Sequence, residues 1–106
     1  MISEERAEKA VEYIRDNAEV LALARSQVKY LDHKRKVIRA TGFAEAAGTV
    51  AERECFAERH ADYKKCIEDY RDAVYEAELT ATKMKAAELT IDIWRSQNSS
   101  KNRGHV

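Results

Sequence analysis

The chain has no proline, and only three glycines among its 106 residues. Without proline nothing forces a helix to stop, so long uninterrupted helices are expected. No apolar run approaches the ~20 residues that cross a bilayer, and the start, ISEERAEKA, lacks an apolar signal core. Membrane association is therefore not expected, and the expected compartment is the cytoplasm. Charge of one sign is also missing: 19 basic residues balance 19 acidic ones. A surface that is one continuous nucleic-acid footprint is thereby excluded, although a local basic patch is not. The two cysteines, Cys55 and Cys66, form no CxxC pattern and are expected as free, partly buried thiols.

What is present is helix-forming composition. Charged residues make up 36% and hydrophobic residues 44%, with much of the latter alanine. A chain of this length is one domain with a modest core, which makes self-association an expectation from the outset. Ser3, followed by Glu4 and Glu5, opens a first helix. With no breaker before Gly42, that helix is expected from Glu4 to about Ala40, roughly 55 Å at 1.5 Å per residue. Gly42 suits a left-handed C-terminal position. Thr49-Val50-Ala51-Glu52 is a capping box, which predicts a short helix over Val50–Arg59. At His60-Ala61-Asp62 the chain either bends, with Asp62 as the next N-cap, or continues as helix. The bend is the expectation. A last helix is expected from Tyr63 to Gln97, ending at Asn98-Ser99-Ser100, with 1–98 as the domain and 99–106 as a disordered polar tail.

Two long helices of similar length joined by a loop and a short helix predict an all-α antiparallel hairpin. Charge agrees. Residues 1–20 hold six acids against three bases, and residues 29–39 hold five bases against one acid. Antiparallel pairing sets the basic stretch near Asp62, Glu68, Asp69 and Asp72. The seam is read as Tyr63, Tyr70, Ala77, Met84 and Ile91 with Ile67, Val74 and Ala81, drifting onto Ala87 and Trp94. Facing it are Ala7, Ile14, Leu21 and Val28, flanked by Val11, Ala18, Ala24, Leu31 and Ile38. Trp94 is expected to close the seam against Ala7 and Val11.

A second apolar stripe remains on each long helix. The first carries Val20, Leu23, Tyr30 and Val37. The last carries Tyr75, Leu79, Ala86, Leu89 and Ile93. A helix with two stripes is buried on two sides, so a homodimer forming a helical bundle is expected, with Val20, Leu23, Tyr30, Val37, Tyr75, Leu79, Leu89 and Ile93 at its interface.

Chemistry is sparse. Cys55, His60 and Cys66, with His33 across the hairpin, match no zinc-ligand spacing. No histidine follows a glutamate by three positions, as a di-iron bundle requires. No nucleophile–base set and no phosphate-binding glycine loop occurs. Neither an enzyme nor a cofactor is expected. The basic run Lys34-Arg35-Lys36 with Arg39, and the tail cations Lys101 and Arg103, are candidate contacts to a partner or to nucleic acid. The favoured reading of the run is structural: cations at a helix C-terminus, opposed by acids of the last helix. Phe43, expected in the loop, is a candidate partner contact.

Two segments, GTVAERECFAERHADY and AELTIDIWRSQNSSKNR, resemble a group of small uncharacterised phage and prophage proteins. These share a central AERE segment and a WRSxN-like end after a long helix. The resemblance implies a phage or prophage origin, hence the host cytoplasm, and genes neighbouring those for replication, annealing or recombination. It brings no catalytic residues. The function it implies is that of an accessory of DNA metabolism or a modulator of a host protein. Direct nucleic-acid binding is the alternative.

Overall fold

The computed structural model describes residues 1–103 and is built of three helices. They are α1 (Glu4–Glu45), α2 (Val50–Arg59) and α3 (Ala61–Arg103). No strand occurs among the described residues, and no helix is long and apolar enough to cross a membrane. The chain divides into two compact units. A terminal unit joins Met1–Ala22 with Glu78–Val106, and a central unit spans Leu23–Ala77.

Local signals set most helix ends. Ser3 Oγ accepts the Arg6 amide at 3.1 Å, and Glu4 and Glu5 occupy the first turn of α1. Thr49 caps α2 by accepting the Glu52 amide at 3.2 Å. The chain turns through Gly48, whose φ of 110° favours glycine. The break before α3 falls at His60, as expected, but the cap is not Asp62. The imidazole Nδ1 of His60 accepts the Asp62 amide at 3.2 Å, and the His60 carbonyl accepts that of Lys64. The other end of α3 also differs: helix continues through Asn98-Ser99-Ser100 to Arg103. The expected disordered tail is described only that far, and 104–106 lie outside the described residues.

Gly42 departs furthest from expectation. It does not end α1, which runs on to Glu45, and its φ is not positive. The reason is packing. A Cβ at Gly42 would lie 3.1 Å from Ala57 Cα and 3.2 Å from its Cβ. The missing side chain lets α2 press against the last turns of α1, and Ala57 is only 1% exposed there. Consequently Arg39 is not in the last turn of α1, which holds no basic residue. The dipole argument for the basic run therefore lapses.

In each unit the long helices pack antiparallel. In the terminal unit the Ile2 amide donates to Gln97 Oε1 at 3.0 Å. In the central unit the buried Cys66 thiol donates to the Leu31 carbonyl at 3.8 Å. Burial follows alternating steps of three and four. On α1 the buried and half-buried positions include Ala7, Ala10, Ile14, Asn17, Leu21, Ala24, Val28, Leu31, Arg35 and Ile38. On α3 they include Tyr63, Cys66, Tyr70, Ala73, Ala77, Thr80, Met84, Ala87, Ile91 and Trp94. One row of each helix is the row expected, and the companion row is so in part: Ala24, Leu31 and Ile38 of α1 lie in the seam, and Val74 and Ala81 of α3 are half-buried. Ile67, Val11 and Ala18 are exposed, and the seam uses Cys66, Ala73, Thr80, Ala10 and Asn17 instead. It holds its repeat to Trp94 with no drift. Small side chains fill these positions because they let two helices approach closely. Asn17 is tolerated because its Nδ2 donates to the Tyr13 carbonyl of its own helix at 2.9 Å.

Candidate interaction surfaces

The basic run of α1 is already engaged. Asp32 accepts from Arg35, 2.6 Å from Nη2, and from Lys36 Nζ at 3.4 Å. Both pairs follow helical spacing, i to i+3 and i to i+4. The hydrogen bond from Arg35 holds the Asp32 carboxyl below its ordinary pKa, and Asp32 in turn raises that of Arg35. Arg35 also lies over the Tyr70 ring at 5.3 Å, which ties it to the seam. Arg39 reaches Glu58 of α2 through Nε and Nη2 at 3.2 and 3.1 Å. The acids that engage these arginines and Lys36 thus come from α1 and α2, not from the start of α3 as expected. There, Asp69 hydrogen-bonds Lys65 at 2.9 Å and raises its pKa. Lys34 is exposed, with its ammonium 5.9 Å from the Tyr30 ring centre.

Phe43 is not a loop residue. It sits in α1, half-buried, with the Arg53 guanidinium 4.5 Å from its ring centre and Arg53 Nε donating to its carbonyl. It clamps α2 rather than facing outward. Of the tail candidates, Lys101 is exposed on the last turns of α3, and Arg103 ends the described helix. Cys55 is exposed, contrary to the expectation of two partly buried thiols. No cluster of three or more His, Cys, Asp or Glu side chains arranged for a metal ion occurs among the described residues.

The terminal unit carries an open groove of about 410 Å³. Ala7, Val11, Ile91 and Trp94 form its apolar part, and Glu4, Glu8 and Glu12 line it together with Arg15 and Arg95. Trp94 therefore shares this groove with Ala7 and Val11, the residues it was expected to pack near, but is half-buried rather than enclosed. Arg95 shares the groove with the acids of the first turns of α1.

The second stripes stay uncovered in the single chain. Leu23, Tyr30 and Tyr75 are more than half exposed, as is Leu89. Val20, Val37, Leu79 and Ile93 lie between 36% and 50%. α2 docks on the end of α1, with contacts to Arg39, Gly42 and Phe43. Sequence reasoning found the stripes but missed Asp32 and Glu58 as holders of the basic run. The Asp32 spacing was a readable signal, whereas Glu58 depends on where α2 docks. Comparison with protein families, curated proteins and solved structures returns no match to this chain.

Proposed function

We propose that the chain is a non-enzymatic helical interaction protein that works as a homodimer, its hairpins joined into a helical bundle. The supporting observation is the set of eight exposed apolar side chains at helical spacing on α1 and α3. The resemblance of its central and C-terminal segments adds a phage or prophage origin. With that comes work in the host cytoplasm, as an accessory of DNA replication or recombination or as a modulator of a host protein. Light scattering across a wide concentration range tests the dimer. The expected mass is twice that of the chain, and Leu89→Glu lowers it to one. A single-chain mass for the parent at high concentration overturns the reading.

Direct nucleic-acid binding is the weaker reading, because Arg35, Lys36 and Arg39 already have carboxylate partners. A salt-dependent gel shift of DNA by micromolar protein would restore it, with Lys34 and Lys101 as the first cations to remove. Affinity capture from host cells carrying the phage genes, read by mass spectrometry, separates a replication protein from a host target.

A further inference from the structure

The outward face of α3 carries its own three-four repeat. With the seam at heptad positions a and d, Tyr75, Leu79, Thr82, Ala86, Leu89 and Ile93 fall at f and c in turn. All six are exposed. The same positions beyond this stretch hold Asp72 on one side and Ser96 on the other, so the apolar face is bounded. It lies on one uninterrupted helix and points away from the seam.

Its borders carry a charge pattern that depends on orientation. Arg71, Glu78 and Lys85 run along one border, with Glu76 and Lys83 along the other. When two helices pack in parallel and in register, each residue of the first border meets the second-border residue five positions on in the other helix. Arg71 then meets Glu76 of the second copy, and Glu78 meets Lys83. Both pairs are attractive, and both recur by symmetry. Antiparallel packing centred on the stripe instead joins like borders. Lys83 would meet Lys83, Lys85 would meet Lys85, and Glu78 would lie near Asp92. Those juxtapositions are all repulsive. Arg71 has an intrachain neighbour, Asp72 at 3.6 Å, but both side chains are more than two-thirds exposed and hold each other weakly.

We propose that α3 pairs in parallel and in register with α3 of a second copy along the Tyr75–Ile93 face. This rests on the homodimer reading and gives it an orientation. The α1 stripe takes no part in this contact. With its seam also at a and d, Val20 falls at g and Leu23, Tyr30 and Val37 at c, but the f positions opposite the seam hold Glu12, Glu19, Ser26 and His33, so α1 lacks the two-row face of α3.

Disulfide trapping tests the orientation. Cys55 is exposed and is first replaced by serine, while the buried Cys66 is kept. Ser96→Cys is then introduced at an exposed f position. Parallel pairing brings the two introduced thiols to disulfide distance, and a linked dimer is expected in a glutathione buffer. Antiparallel pairing would set residue 96 beside residue 72, giving a mixed product when Ser96→Cys and Asp72→Cys chains are oxidised together. Charge gives the second arm. Glu78→Lys is expected to weaken dimerisation about tenfold through two symmetric contacts, and Lys83→Glu in the same chain to restore it. A parent that is monomeric at every concentration overturns the homodimer reading and this one with it. A dimeric parent with unlinked Ser96→Cys, a mixed 96–72 product, or tighter association of Glu78→Lys overturns only the parallel pairing.

Discussion

The central and terminal units use the same two helices and are held in different ways. The central unit has a third helix set into the Gly42–Ala57 contact and fastened by Arg39–Glu58 and Arg53–Phe43. The terminal unit has two helices, three buried alanines with Leu21, one end-to-end hydrogen bond from Ile2 to Gln97, and a half-buried tryptophan. Alanine burial contributes little area per residue, so close approach must compensate for what large side chains would supply. The same terminal stretch of α3 exposes Leu79, Leu89 and Ile93. The central unit exposes Leu23, Tyr30, Val37 and Tyr75 in turn, so both units leave large apolar side chains for a partner to cover.

The largest expected effect breaks the central unit's advantage. Gly42→Val drives its side chain into the backbone of Ala57 and should cost about 2–3 kcal/mol in denaturant unfolding. Gly42→Ala should be far milder, because gained helix propensity offsets part of the clash. Trp94→Ala acts on the terminal unit. Half-burial puts its cost at about 2 kcal/mol, below the 3–5 of a fully buried aromatic. A parent-like melting curve would show that Trp94 does not anchor the unit. Gln97→Ala removes the Ile2 clamp and should cost about 1 kcal/mol. Amide exchange should speed up in residues 1–22 and leave 23–77 unchanged; an equal change in both would erase the distinction between units.

The smallest effect concerns pH in the central unit. Asp32 is held below its ordinary pKa in the fold, mainly by the hydrogen bond from Arg35. Its contribution is therefore present above the unfolded carboxylate range and is lost as pH falls through the lowered folded value. Asp32→Asn should lower the unfolding midpoint slightly at neutral pH, with the difference from the parent vanishing in acid. A difference that persists in acid would assign the effect to something other than charge.

Much of this architecture is legible in the sequence because the signals are local. Ser3 and Thr49 announce their caps, and the row Ala7–Ile14–Leu21–Val28 announces one half of a seam. The companion row is legible only in part, because hydrophobicity favours Ile67 and Val11 over Cys66 and Ala10. Packing at short range favours the smaller side chains. Gly42 was misread for a related reason: glycine marks both helix ends and close helix crossings, and only the position of Ala57 separates the two. The basic run kept its residues but changed its partners, since the docking of α2 brings Glu58 to Arg39. The apolar stripes were legible in full, because their spacing belongs to single helices.

The two cysteines turn this arrangement into a clock. Cys55 stands in solvent on α2, whereas the Cys66 thiol is closed in beneath the Leu31 carbonyl. A thiol reagent will consume the first at its bimolecular rate. It reaches the second only while α1 and α3 stand apart. The delay between the two reactions reports, with no label added, how often the central unit opens.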